Sequence, residues 1–268
     1  MWFIEILRAE YKLVYAEMFR RKSMLVMMFL YPYVLTGFTL FIGYSFGSKQ
    51  VFVEKTGVAP EVFMITASFI MLSMLASIDD MIWKPLMDLW HGTLPYIIAS
   101  PVNRIMLYAA IPIPRLTAVM IIGSTSVIPV YTLYYGLNGF PTSLIVIGLA
   151  SLGAIFMITP AMVVTGIVNT MGESWRVINV IRPIFMILLG AYYPRILMPL
   201  AGLIASYTLP SSYVVELIQA FLRNVTNTSN VLSLIGVATA LFVIYAPGGS
   251  RSILLWEKKK VKEGVKYD

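Results

Sequence analysis

Long apolar runs separated by short polar segments dominate the chain. The hydrocarbon core of a membrane is about 30 Å thick, and a helix needs about 20 mainly apolar residues to cross it. The chain has six such runs, of which the fifth is the shortest, and none contains Asp, Glu, Lys, Arg or His. The pattern predicts an all-α polytopic membrane protein with six transmembrane helices at residues 24–46, 62–78, 116–135, 143–168, 184–193 and 231–246.

The first residues carry a different pattern, with apolar side chains on one side and Arg8 and Lys12 on the other. We expect an amphipathic helix over residues 1–22 that lies on the membrane surface. An early start of the first span would instead bury Glu10 and Glu17 in lipid. The apolar stripe consists of Phe3, Leu7, Tyr11, Val14 and Met18.

The six spans and their connections form a predicted domain over residues 23–250. Within it, residues 84–104 are too polar to cross a bilayer, and two prolines in residues 111–115 predict an irregular entry into the third span. Residues 198–224 contain two apolar pieces too short to span, which predicts a re-entrant hairpin on the outer side. Residues 251–268 form a basic tail.

Charge orients the predicted spans. Six crossings place both termini on one side of the membrane, and 16 of the 20 basic residues fall on that side. Cytoplasmic loops carry such an excess, so we expect a multi-pass protein of the cell (plasma) membrane with both termini in the cytoplasm. Contact with anionic membrane lipids then accounts for the net charge of +7, and no nucleic-acid partner is needed. The other four basic residues are Lys49, Lys55, Arg195 and Arg223.

The residue inventory argues against an enzyme. The chain has no cysteine and a single histidine, His91, so we predict no metal site and no catalytic residue. The sequence Gly43–Gly47 matches a serine nucleophile pattern, but His91 is predicted on the opposite side of the membrane, so we interpret the match as helix-end packing. No phosphate-binding GxxxxGK[ST] loop occurs. The chain itself is therefore expected to bind no cofactor.

The polar segment between spans two and three contains a candidate docking helix. Thr93 is a predicted cap for a helix that starts at Leu94, Pro95 fits its first turn, and Pro101 stops it. Composition leaves open whether this helix docks a partner or lies on the membrane without one. Glu173 is a candidate second contact, or part of a solvated loop. The predicted exposed face comprises Leu94, Tyr96, Ile97 and Ile98.

Two motifs resemble the permeases of type-2 ATP-binding-cassette exporters. Gly92-Thr-Leu followed by Ser100-Pro-Val resembles that family's signature, although Pro95 stands where glutamate is common and Asp88 alone remains of the acidic run. The second motif resembles the family's stretch after span five. It consists of Gly190, Tyr193, Pro194, Met198, Pro199, Leu209, Pro210, Tyr213 and Glu216.

The resemblance implies a transport function. In that family two permease copies surround a central path, and two separate ATPase subunits bind ATP and Mg²⁺ beneath them. Movement of the coupling helix at residues 94–99 would then drive an amphiphilic, lipid-linked or drug-like cargo outward. An ion-gradient-driven secondary transporter or channel is the alternative, and an intramembrane enzyme is a third possibility. Spans two and five would face the path through Phe69, Leu72, Phe185 and Leu188.

Overall fold

The computed structural model of the chain describes residues 3–171 and 174–263. Those residues are almost entirely helical, and no strand occurs among them, which confirms the predicted all-α class. The helices are α1 (Phe3–Arg20), α2 (Lys22–Phe46), α3 (Lys49–Thr56), α4 (Pro60–Trp90), α5 (Leu94–Ala99), α6 (Arg104–Ala110), α7 (Pro112–Tyr135), α8 (Gly139–Phe156), α9 (Ile158–Thr170), α10 (Ser174–Leu189), α11 (Leu200–Tyr207), α12 (Pro210–Leu222) and α13 (Thr228–Glu263).

Four helical stretches in the described part of the chain are long and apolar enough to cross a membrane: Lys22–Tyr44, Pro60–Trp90, Arg104–Thr170 and Thr228–Lys262. The third has 67 residues, about 100 Å of helix if it were straight. It reverses at the 3-10 turn Gly136–Asn138, where α7 and α8 pack side by side. These stretches fit a membrane protein.

Helix α4 is the centre of the bundle. In its most apolar part 83% of the residues are buried, against 17% in α2 and 6% in α13. It packs on α2, α7, α8 and α9, with Phe69, Met74 and Met81 fully buried. The exposed apolar faces of α2 and α13 are therefore at the periphery, where lipid would cover them.

Small residues bring α9 and α13 into close contact. A Cβ atom added to Gly166 would collide with the backbone of Ser252, and one added to Gly249 would lie 2.7 Å from the Cβ of Met162. The Ser252 hydroxyl also donates to the Val163 carbonyl at 2.9 Å. This is the packing by which membrane helices approach each other through small side chains.

The pair α11 and α12 reaches deep into the bundle. The Ser211 hydroxyl, in the first turn of α12, donates to the Gly153 carbonyl at 2.7 Å. Gly153 lies near the midpoint of α8 and α9, whose helical path is interrupted only at Met157. The start of α12 is thus at the mid-level of that helical stretch.

Three boundaries differ from the sequence-based prediction. The second predicted span ends at residue 78, but α4 continues to Trp90. Residues 111–115 interrupt the helical path only at Ile111, whose backbone is in the αR region, because Pro112 and Pro114 lie in the first turn of α7, where a missing N–H is tolerated. The fifth span was predicted to reach residue 193, but α10 ends at Leu189 because Gly190 adopts a left-handed φ of 69°.

The predicted basic tail is not separate from the last span in the described residues. Helix α13 continues without a break from Thr228 to Glu263. Ile253 and Trp256, beyond the predicted boundary at residue 250, are fully buried. The helix therefore extends past its most apolar part and packs against the bundle again.

Candidate functional site

Most of the described charged side chains with structural partners lie at one end of the bundle. We call it the charged end: α5, α6, the last turns of α4, the first turn of α7 and the last turns of α13 meet there. The segment predicted to couple to an ATPase, residues 84–104, lies at this end. Its geometry decides what it can offer to a partner.

Helix α5 begins at Leu94 and ends at Ala99, as predicted, but the Thr93 side chain does not cap it. Thr93 occupies the N-cap position, but its side chain accepts no hydrogen bond from the helix; its hydroxyl instead donates to the Asp88 carbonyl at 3.1 Å and to Asp88 Oδ1 at 2.9 Å. The Lys84 ammonium also donates to Asp88 Oδ1, at 2.9 Å. Gly92 turns the chain with a φ of 70°. Asp88 therefore closes the turn before α5 by local hydrogen bonds.

The exposed face of α5 also differs from the prediction. Leu94 is 1% exposed and belongs to the apolar core, whereas Tyr96 is 79% exposed. Ile97 and Ile98 are half-buried. The surface that α5 presents is made of Pro95, Tyr96 and Ala99, with Pro101 just beyond, because Leu94 turns inward to anchor the helix.

Arg104 ties the end of α5 to α13. Its guanidinium donates to the Ile98 carbonyl at 2.6 Å and to the Val102 carbonyl at 3.1 Å, and its Nε lies 3.3 Å from Glu257 Oε2. Glu257 also accepts from the Tyr108 hydroxyl at 2.9 Å. Glu257 is 6% exposed, so this ion pair is buried and links two distant parts of the chain.

Sequence reasoning missed Glu257, which lies in the predicted basic tail of residues 251–268. A signal existed: Ile253 and Trp256 continue an apolar stripe at helical spacing beyond the predicted end of the last span. An acidic residue next to such a stripe is a candidate for a buried partner of a cation.

A small cavity of about 170 Å³ lies between α2, α4, α7 and α10 near the charged end. The Arg182 guanidinium donates to both carboxylate oxygens of Asp79, through Nε at 3.1 Å to Oδ1. Arg115 pairs with Asp80. The cavity thus has charged groups at one end and apolar walls elsewhere, from Met28, Tyr31, Leu72, Leu75, Ala76, Val119 and Met186.

Of the four residues predicted to face a transport path, Leu72 lines this cavity. Phe69 is fully buried, and its ring fills the space where Gly123 lacks a side chain. Phe185 is buried as well, and Leu188 is half-buried against the core. Asp79 and Arg182, which line the cavity, were not singled out from the sequence, although Asp79 directly follows an apolar run.

At the hairpin, Arg195 holds α11 and α12 together. Its guanidinium donates to Ser206 Oγ at 3.0 Å and to Glu216 Oε2 at 2.8 Å, and it contacts Ser212. It also lies 4.1 Å from the ring centroid of Tyr213. Burial lowers the pKa of the Arg195 guanidinium from its usual value, an effect that the Glu216 carboxylate opposes.

The residues predicted from the sequence surround this arginine. Tyr213 and Glu216 are its direct partners, Pro194 precedes it, Pro199 precedes α11, and Pro210 is the first residue of α12. Each proline stands where a helix begins or before it, and there its missing N–H is tolerated. The remaining predicted contact, Glu173, lies outside the described residues.

No protein-family model, no curated protein and no solved structure matches the chain.

Proposed function

We propose that the chain is the transmembrane permease subunit of an ATP-binding-cassette exporter, with two separate ATPase subunits and a second permease copy as partners. The observation that carries the proposal is the short helix α5. It exposes Pro95 and Tyr96 at the charged end while Leu94, Asp88 and Arg104 fix its position from three sides. A rigid, exposed helix with an aromatic side chain suits docking into a groove of a partner.

The helix arrangement supports six crossings. The reversal at Gly136–Asn138 divides the third stretch into α7 and the pair α8 and α9, which adds one crossing to the four apolar stretches. Helix α10 has 16 residues, about 24 Å, so it would need a few adjoining residues to complete a sixth. The depth of α12 beside Gly153 supports a re-entrant hairpin.

The contacts of α5 suggest how ATP binding would be transmitted. In the partner ATPases, ATP with Mg²⁺ would draw the two docking surfaces together and move α5. Leu94 would pass that movement to the core around α4, and Arg104 would pass it to α13 through Glu257. The cavity beside Leu72 would change shape, because Asp79 joins α4 to α10.

Apolar walls with a charged end suit an amphiphilic cargo. Asp79, the carboxylate that lines the small cavity, pairs with Arg182, and the neighbouring Asp80 pairs with Arg115. A proton-coupled transporter usually keeps an ionisable group whose charge changes during transport. The pairing therefore favours an external source of energy over an ion gradient.

The test is ATP hydrolysis by the chain reconstituted with its ATPase subunits. Tyr96→Asp should lower permease-dependent ATP hydrolysis at least about tenfold, since truncating a docked aromatic side chain commonly costs about 2 kcal/mol or more. Tyr96 is solvent-exposed, so the melting temperature should stay unchanged. Leu94→Asp would be a poor test, because Leu94 is buried and the variant would unfold.

Leu137→Asp is the matched control, because Leu137 is 95% exposed and lies in the turn at the other end of α7. It should leave ATP hydrolysis unchanged. Equal ATP hydrolysis by Tyr96→Asp and the parent would refute docking through α5. Transport by the chain alone in proteoliposomes, driven by an ion gradient, would instead support the secondary-transporter alternative.

A further inference from the structure

A second, larger cavity of about 630 Å³ lies between α1, the start of α2, the end of α4 and the start of α7. Arg115 lines both this cavity and the smaller one. The residues that matter for the inference are the carboxylates Glu10 and Glu17 and the apolar Val14, Met24, Met27 and Trp83. We call it the α1 cavity.

The cations that line the α1 cavity are all engaged by other carboxylates. Arg21 lies 3.3 Å from Glu17, Lys84 lies 2.9 Å from Asp88, and Arg115 pairs with Asp80. Glu10 has no ion pair within 4.0 Å among the described residues. Glu10 is therefore the lining carboxylate that lacks an ion-pair partner among the described residues, because the partner of Lys84 is Asp88, outside the cavity lining.

Glu10 is also incompletely hydrogen-bonded. Its Oε2 is buried, and no hydrogen-bond partner for this oxygen occurs in the described part of the chain. Burial raises the pKa of the Glu10 carboxyl above its ordinary value, and the positive charge of Lys84 opposes this. An unpaired buried carboxylate is unfavourable, and a cationic donor placed beside it would remove that penalty.

The apolar and aromatic residues that line the α1 cavity indicate which groups the ligand carries besides its cationic head. Met24 and Met27 are flexible and polarisable, so they can adapt to apolar groups of different shapes. The indole of Trp83 offers an aromatic surface that attracts cations. The volume lies within the range of about 300–1,000 Å³ that is typical of small-molecule sites. An anionic head would instead place like charge beside Glu10.

Because an unpaired carboxylate lies beside an apolar cavity wall, we infer that the α1 cavity binds amphiphiles with an ammonium head. The ammonium group pairs with Glu10, and the apolar part of the ligand lies among Val14, Met24 and Met27. The inference does not depend on the exporter proposal, since it concerns binding by this chain without an ATPase. The ammonium group can belong to a membrane lipid or to a soluble amphiphile.

The test is equilibrium binding of radiolabelled decylammonium to the full chain in nanodiscs of an uncharged galactolipid. Glu10→Gln preserves shape and removes the charge, so affinity should fall about tenfold or more, because a charge-assisted hydrogen bond contributes about 1.5–3 kcal/mol. The amide carries no desolvated charge, so folding should be preserved. Glu54→Gln is the matched control and should bind like the parent, because Glu54 is exposed and does not line the cavity.

Decyl sulfate should not compete. Val14→Trp should abolish binding by filling the cavity, and it decides the question if Glu10→Gln does not fold. Unchanged affinity for decylammonium in Glu10→Gln or in Val14→Trp would overturn the inference, and so would equal competition by decyl sulfate. Adding phosphatidylethanolamine to the nanodiscs separates the two sources: competition assigns the site to a lipid, and its absence assigns it to a soluble amphiphile.

Discussion

Neutralising Glu257 should destabilise the protein although the change replaces only one oxygen by nitrogen. The Glu257 carboxylate is the buried partner of both Arg104 and the Tyr108 hydroxyl. In Glu257→Gln the amide can still accept from Tyr108, but the Arg104 guanidinium loses its counter-charge. The perturbation therefore isolates the ion pair from the neighbouring hydrogen bond.

The magnitude follows from the burial of both groups. The Arg104 and Glu257 side chains are 15% and 7% exposed, so water screens the remaining charge poorly. Removing one partner of a buried pair costs about 3–5 kcal/mol. Arg104 keeps its bonds to the Ile98 and Val102 carbonyls, so we expect a loss near the lower end, about 3 kcal/mol. That corresponds to roughly a hundredfold change in the unfolding equilibrium.

The assay is unfolding of the purified chain by sodium dodecyl sulfate titration in mixed micelles. Tryptophan fluorescence suits it because Trp256 is fully buried next to Glu257, and circular dichroism follows the helices as a whole. Glu54→Gln is the control, since Glu54 is exposed and a surface change of this kind alters stability by about 0.5 kcal/mol or less.

Equal stability of Glu257→Gln and Glu54→Gln would refute the reasoning, because α5 would then have no energetic connection to α13. The double variant Arg104→Met with Glu257→Met separates charge from packing. Replacing a buried ion pair by apolar side chains is often nearly neutral, so this variant should recover most of the loss caused by Glu257→Gln.

The same unfolding assay checks two further contacts. Gly166→Leu should destabilise the protein by about 2 kcal/mol or more, because the leucine side chain would force α13 away from α9. Gly148→Leu is the control and should be nearly neutral, because the space beside Gly148 is open. Equal losses of stability in the two variants would contradict the close packing of α9 and α13. Arg195→Met should cost about 2–3 kcal/mol by removing the cation between Glu216 and Tyr213, and should speed hydrogen exchange in residues 198–224. Arg8→Met, at an exposed position, is the control and should change neither the stability nor the hydrogen exchange of residues 198–224.

Apolar periodicity predicted the helices well because each is defined by neighbouring residues. Helices α2, α7, α11 and α12 lie where the sequence places apolar segments. The prediction was wrong at the end of the second span, because α4 continues past Asp79 and Asp80 to Trp90. Their arginine partners lie 103 and 35 positions away, and no local pattern reveals such pairs.

Contacts with residues distant in the sequence also explain the wrong predictions around α5. The prolines and Gly92 correctly indicate a short helix, because they act on the backbone at their own positions. Which face is buried depends on what packs beneath, and Leu94 turns inward to the core. Thr93 has the right chemistry for a cap, but the Asp88 carboxylate offers its hydroxyl a closer partner.

The two aspartates also constrain how the bundle can move. Asp79 binds α10 through Arg182 and Asp80 binds α7 through Arg115, so α4 cannot slide relative to either helix without separating an ion pair. Both pairs are partly buried, which makes separation more costly than on an open surface. Helices α4, α7 and α10 therefore move together at the charged end. Helix α2 contacts α4 and α7 differently, through apolar groups such as Met28 and through hydrogen bonds from Thr36 to Ser68 and from Tyr33 to the Thr125 carbonyl. A displacement of α5 would be absorbed most easily there, because among the described residues no ion pair joins α2 to either helix. Under the proposed coupling through α5, we therefore expect the lateral face beside α2, where both cavities lie, to be the part of the bundle that opens.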